Sequence, residues 1–327
     1  MPPMAFKIVG LRQSLYLLIT ALCSILLLTG MVNAESEVSS ATPEAPPVSP
    51  EVTIKEEAEG IPLITSKSGR TVLLFPSGDF YPPYIADPRT PRFGIQWMIY
   101  SKTTIPDTGN SRFGLEAGGS FGIVSVHPAD QTNQGWQLSI KGGFDAQFDI
   151  YHSEDNIGWD GIYGLLLTTA QDHGFAYKLS MNHDSSHVGD EYEARTGRQR
   201  IGYTREEIAA GISWSINNYW RAYAEAGWGY HLGNENLQKP GRLEFGLEYE
   251  STKSLWEGRA GWYTALDISS MQERDWRVDT SFQMGFVFRS GERTWRLGIE
   301  RCDGPPPIGE FFQYTESYIA LGLWIDI

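Results

Sequence analysis

The chain has 327 residues and a formal net charge of -14, from 26 Lys and Arg against 40 Asp and Glu, so nucleic acid is disfavoured as a partner. Its mean hydropathy is -0.30, yet aromatic residues make up 13% of it. Beyond the N-terminus no stretch approaches the roughly 18 apolar residues of a spanning helix. A chain this polar crosses a membrane only as a closed barrel whose strands alternate in polarity.

Lys7 and Arg12 precede an apolar run from about Leu15 to Met31, and Val32-Asn33-Ala34 offers small residues for cleavage. This pattern predicts a signal peptide over residues 1–34. Leu22 stands before Cys23 where a lipobox needs a small residue, so lipidation is not expected. Removing the signal leaves Cys302 alone, which excludes a disulfide within the mature chain. Residues 35–60 are rich in Glu, Pro, Ser and Ala and bury too little to offset the entropy of ordering, which predicts a disordered periplasmic lead. In 61–92, Val72-Leu73-Leu74-Phe75 is followed by Pro76, Pro82, Pro83, Pro88 and Pro91, which predicts an irregular strap or plug at the barrel mouth or partly within it.

From Phe93 onward the polarity has period two. Trp136, Leu138, Ile140, Phe144, Phe148 and Ile150 oppose Gln137, Ser139, Lys141, Asp145, Gln147 and Asp149. The segments 242–250 and 276–289 repeat the scheme. Twelve strands are predicted, starting near 93, 111, 135, 157, 174, 200, 217, 241, 257, 275, 294 and 313. The expected fold is all-β, a single transmembrane antiparallel β-barrel of about 12 strands over 93–327, in the bacterial outer membrane. Connections after even strands are mostly short and those after odd strands longer, as periplasmic turns and extracellular loops are.

A soluble sandwich would also alternate, but here Trp136, Trp220, Tyr230, Trp262 and Trp276 fall on the apolar face near strand ends, as a girdle does. The last strand presents Ile319, Leu321, Leu323, Ile325 and Ile327 on one face. It resembles the C-terminal signal read by the barrel-assembly machinery, with Ile327 in place of the usual Phe. The inward set mixes signs: Lys141, Asp145, Asp149, Arg221, Glu225, Arg242, Glu244, Glu248, Arg259, Asp267, Arg277, Asp279, Arg296, Glu300 and Glu316. Mixed charges pair off, so a plugged lumen is favoured over a selective pore.

One constellation carries candidate chemistry. Parity puts Phe175, Tyr177, Leu179 and Met181 on the lipid side, and with them His183, Ser185 and His187. Polar groups on that face belong at the membrane interface. An imidazole two residues from a hydroxyl on one strand face can act as general base to a serine nucleophile. On the next strand Ile208, Ala210, Ile212 and Trp214 define the outer face, which turns Glu206 outward and Glu207 inward. Glu206 can orient His183 if the register pairs them, which the sequence leaves open.

A His-x-Ser pair at the outer end of a barrel strand, with an acid on the next, resembles lipid A deacylase and outer-membrane phospholipase A. The resemblance implies hydrolysis of acyl esters in outer-leaflet lipid, with His183 as base, Ser185 as nucleophile and Glu206 as orienting acid. Through the phospholipase it also implies calcium. As a whole the chain resembles an uncharacterised bacterial outer-membrane family, domain of unknown function 1207. The segments that carry this are Leu74-Phe75-Pro76-Ser77-Gly78, Ala86-Asp87-Pro88-Arg89 and Ser185-Ser186-His187-Val188-Gly189-Asp190-Glu191-Tyr192. That resemblance implies a barrel and no activity.

Arg195, Arg198, Arg200 and Arg205 cluster beside the motif in an acidic protein, which suits contact with the phosphates of outer-membrane lipid or lipopolysaccharide. A different use of the same region is a metal site from His183, His187, Asp190 and Glu191. The chain has no P-loop, no dinucleotide glycine fingerprint and no His-Glu-x-x-His. The expected function is therefore an outer-membrane barrel acting on or contacting lipid. The alternatives are a small-solute channel and a structural or surface-interaction barrel.

Overall fold

The alternation from Phe93 onward becomes twelve antiparallel strands: β3 (Phe93–Thr103), β4 (Ser111–Pro128), β5 (Gly135–Asp149), β6 (Asp155–Ala170), β7 (Phe175–Val188), β8 (Thr204–Ser215), β9 (Trp220–Leu232), β10 (Gly241–Glu250), β11 (Ala260–Met271), β12 (Val278–Ser290), β13 (Arg293–Gly304) and β14 (Glu316–Asp326). Each pairs with its neighbour in sequence, and β14 pairs with β3 from Glu316↔Thr103 to Ile325↔Phe93, which closes the barrel. Two short strands precede it, β1 (Ile61–Thr65) and β2 (Arg70–Leu74), and β2 adds to the end of β4 at Arg70↔Pro128. This computed structural model describes residues 61–65, 69–128, 134–251, 255–256, 259–290 and 293–326. The predicted signal peptide over 1–34 and lead over 35–60 lie outside the described residues, as does Ile327.

The expected strand starts hold to within a few residues, and the local chemistry of the turns explains why. Between β6 and β7 the turn passes through His173 and Gly174, both at positive φ. A Cβ on Gly174 would lie 2.4 Å from the Ser215 carbonyl oxygen, so glycine is needed there for both conformation and space. Between β8 and β9 the Asn217 side chain accepts hydrogen bonds from the Tyr219 and Trp220 amides at 2.9 and 3.0 Å, an Asx turn.

The outer wall is apolar. Phe113, Ile140, Leu179, Phe245, Met284, Phe286 and Ile319 all face outward, and Trp136, Trp220, Tyr230, Trp262 and Trp276 are exposed as the girdle pattern predicts. The inner wall is polar and ion-paired. Such a closed barrel, apolar outside and charged within, is a transmembrane barrel of the bacterial outer membrane, with each of its twelve strands paired on both sides. Two residues expected in the lumen are elsewhere. Arg259 is exposed before β11 begins, and Arg277 lies exposed before β12, where it pairs with Asp303 at 3.1 Å. Both sit in connections, where strand parity does not apply.

Phe75 stays outside against Phe121, and residues 76–92 enter the lumen. Tyr84 stacks on Tyr223 with centroids 3.7 Å apart and donates its hydroxyl to Glu225 at 2.9 Å. The Ile85 amide donates to Glu248, Arg221 donates to the Pro82 and Pro83 carbonyls, and Arg92 donates to Glu116 at 2.7 Å. Prolines suit this run because an irregular strap offers no ladder for their missing N–H to interrupt. A cavity of about 1300 Å³ remains between strap and wall. The intact protein is therefore expected to be silent in planar bilayers. Replacing 79–90 by a Gly-Ser linker of equal length is expected to produce discrete conductance steps, and an equally silent variant would show that other groups close the pore.

The loop end is capped by a short helix, α1 (Asp190–Thr196), and by 305–315. Tyr192 of α1 packs with Ile105, Ile157, Val188, Ile308 and Phe311. The buried Glu310 carboxylate accepts from the Ile201, Gly202 and Tyr203 amides at 2.8 to 3.0 Å. These bonds fix the β7–β8 loop directly above the candidate site.

Candidate active site

β7 presents its outer face as parity requires. Tyr177, Leu179 and Met181 are exposed, His183, Ser185 and His187 continue the same face, and Ser186 and Val188 turn inward and are buried. On β8, Glu206 faces outward while Arg205 and Glu207 are buried. The register that the sequence leaves open places His183 directly opposite Glu206. The His183 Nδ1 lies 2.5 Å from Glu206 Oε1, with side chains 18% and 27% exposed. A carboxylate only accepts, so Nδ1 carries the proton and Nε2 is left as the acceptor.

β6 supplies the other side. Its register sets Trp159 opposite His187, Gly161 opposite Ser185 and Tyr163 opposite His183. Tyr163 stacks on His183 at 4.3 Å between centroids and Trp159 on His187 at 4.0 Å. Each stack fixes an imidazole plane. Ser185 Oγ bonds the Gly161 carbonyl oxygen at 3.5 Å rather than the imidazole. Catalytic hydrogen bonds are often long in unliganded sites, and rotation about one side-chain bond redirects this hydroxyl. The set lies just above Leu165, Met181 and Ile208, which are all exposed on the apolar belt.

The four arginines separate. Arg200 is exposed and donates to His187 Nδ1 beside the site. Arg195 is exposed but engaged with Asp155 at 3.0 Å and the Asp107 carbonyl. Arg198 is tied to the Tyr314 hydroxyl and the Glu310 carbonyl in the cap, over the Phe311 ring. Arg205 is no lipid contact. The parity that turns Glu206 outward turns Arg205 into the lumen, where it bonds Glu207 at 2.8 Å and the Lys239 and Pro240 carbonyls. The metal alternative does not assemble. Among the described residues no three His, Cys, Asp or Glu side chains are placed so as to hold a metal ion. His183 and His187 are taken by Glu206 and Arg200, and Asp190 and Glu191 stand exposed on α1.

Three residues of the site, Trp159, Gly161 and Tyr163, escape the sequence reading. Parity along β6 marks them as outward, but their place beside Ser185 depends on the β6–β7 register. That register is legible only from the short turn at 171–174.

No curated protein matches the sequence. Solved structures with some likeness to the barrel include outer membrane phospholipase A from Escherichia coli, at 10% identity with 72% of this chain and 92% of that chain covered and a TM-score of 0.49. LpxR from Salmonella typhimurium gives 11% identity, coverage of 72% and 99%, and a TM-score of 0.37. The KdgM porin in complex with disordered oligogalacturonate gives 8%, 72% and 98%, and 0.38. At these scores no residue or activity is carried over from any of them. The sequence match is far more extensive: residues 18–326 match the family described as protein of unknown function DUF1207, and the chain belongs to that family.

Proposed function

We propose that the barrel hydrolyses acyl esters of outer-leaflet lipid, lipid A or phospholipid, from its outer wall. The observation that carries this reading is the His183–Glu206 pair across β7 and β8, with Ser185 two residues away on the same face. An imidazole held by a carboxylate on the lipid-facing side is a costly arrangement for packing alone, because polar groups on that face are disfavoured. In the proposed reaction Ser185 Oγ attacks the ester carbonyl as its proton passes to His183 Nε2. The tetrahedral intermediate collapses, the C–O bond to the lipid alcohol breaks, and His183 returns the proton to that alcohol. Water, deprotonated by the same imidazole, then attacks the acyl-serine and releases a fatty acid. Glu206 holds the ring and stabilises the imidazolium that forms in each half. Arg200, exposed beside His187, supplies the contact to a lipid phosphate.

A channel is the reading that the lumen opposes, since Tyr84, Ile85 and Arg92 are buried across it. The hydrolase reading is tested by treating the folded barrel with a long-chain alkyl fluorophosphonate and mapping the adduct by mass spectrometry. A phosphonyl group on Ser185, absent in His183→Ala, is the expected result. Labelling of other serines at equal rate, or of none, would remove Ser185 as nucleophile.

A further inference from the structure

The two ring stacks beside Ser185 leave a gap between them. Side chains two apart on a strand face are separated by about 7 Å, so Trp159 and Tyr163 stand on either side of Gly161 with no side chain between. Their partners His187 and His183 stand on either side of Ser185 in the same way. The result is a slot across β6 and β7, with a block of stacked rings on each bank and Gly161 and Ser185 on its floor. On β5 the register sets Phe144 directly opposite Gly161, with its ring 5.5 Å from that of Trp159, so it closes the loop-side corner of the slot. Diagonally from Gly161 on the membrane side the slot opens over Gly142, which lies opposite Tyr163 and where a Cβ would meet nothing nearer than the Ile162 carbonyl oxygen at 3.8 Å.

The floor is open for a definite reason. A Cβ built on Gly161 would lie 3.5 Å from Ser185 Oγ and 3.8 Å from Trp159 Cζ3, ordinary contacts that demand no glycine. The backbone there is extended within β6 and needs none either. Any larger side chain, however, would project into the space directly beside the hydroxyl. On the opposite flank of Ser185, Thr204 already fills the corresponding place on β8. The group attached to the carbonyl that reaches Ser185 therefore has one apolar way out, over Gly161 towards Gly142 and the hydrocarbon belt.

We propose that this slot receives the acyl chain of the ester, and that Gly161, Trp159 and Tyr163 select a long unbranched acyl group at the carbonyl carbon. This rests on the hydrolase reading given above. The occupant follows from continuity: the slot begins at the nucleophile and ends on a surface that only lipid covers. The aromatic banks contact a polymethylene chain along its length, the chain turns between Phe144 and Tyr163 to reach Gly142, and a branch near the carbonyl would meet one bank or the other. The headgroup side of the ester is left to the loop end, where Arg200 stands.

The test compares p-nitrophenyl hexadecanoate with p-nitrophenyl acetate on the folded barrel. In Gly161→Leu the preference for the long ester, measured as the ratio of the two kcat/KM values, is expected to fall by about 100-fold, the scale of a misplaced reacting group. Gly161→Ala, whose methyl meets only ordinary contacts, is expected to fall between the two. Ala226→Leu makes the same kind of change at an exposed position on β9, distant from the slot, and is expected to leave the ratio as in the parent. An unchanged ratio in Gly161→Leu would overturn the slot while leaving the hydrolase standing. If the parent cleaves neither ester the hydrolase reading fails, and the slot is then judged by binding alone. A phospholipid carrying a diazirine on its acyl chain, photolysed in vesicles with the barrel, is expected to label Phe144, Trp159 or Tyr163 and to lose that label in Gly161→Leu. Labels spread evenly around the belt would overturn it.

Discussion

His183→Ala is expected to lower acyl-ester hydrolysis by at least about 10³-fold, because a serine hydroxyl without its base is a poor nucleophile at neutral pH. The effect of Glu206 is expected to be smaller and to depend on what replaces it. Alanine leaves the imidazole between Tyr163 and solvent with either tautomer available. Glutamine can present its amide N–H to Nδ1 and so favour the tautomer with the proton on Nε2, which cannot accept from Ser185. Glu206→Gln is therefore expected to lose more activity than Glu206→Ala, roughly 100-fold or more, in line with the cost of a wrong tautomer in other triads. The reverse order would mean that the charge of Glu206 matters more than its hold on the ring. Each value is read as kcat/KM on one ester, with folding checked by heat-dependent migration on gels.

Arg242→Ala is expected to be the most damaging single change to the barrel itself. Arg242 sits on β10 among three lumen carboxylates, bonding Glu207 at 2.7 Å as well as Glu225 and Glu244. Glu207 retains Arg205 and Glu225 retains Lys178 when it is lost. Glu244 keeps no ion-pair partner among the described residues, and its Oε1 already lacks a hydrogen-bond partner. Removing one member of a buried ionic network leaves the others uncompensated and typically costs about 3–5 kcal/mol. Urea titration of the barrel in lipid vesicles reads this as a lower midpoint. A shift corresponding to less than about 1 kcal/mol would show that lumen water solvates these carboxylates well enough to replace the guanidinium.

How far the sequence reaches depends on which interaction decides each feature. Strand parity is set by burial of alternate side chains, a local signal, so β7 and β8 turn His183, Ser185 and Glu206 outward as expected. The same rule turns Arg205 inward, away from lipid, although it is close in sequence to Arg195, Arg198 and Arg200. Register is only half local. His183 meets Glu206 across a loop of fifteen residues, 189–203, whose length says little about pairing. The path of 76–92 is not local at all. It is held by Glu116, Glu225 and Glu248 on β4, β9 and β10, and strand patterning marks the last two only as inward. Arg259 and Arg277 show the limit from the other side, since both precede their strands and parity does not hold in connections.

The central claim is that the outer wall cuts lipid esters at Ser185. The most direct measurement is fatty-acid release, followed by mass spectrometry. The folded barrel and its Ser185→Ala variant are given lipid A and phospholipid in mixed micelles, with and without calcium. Release by the parent and none by the variant is the expected result, and the lipid consumed identifies the substrate. No release by a folded parent under any condition, or equal release by Ser185→Ala, would contradict it.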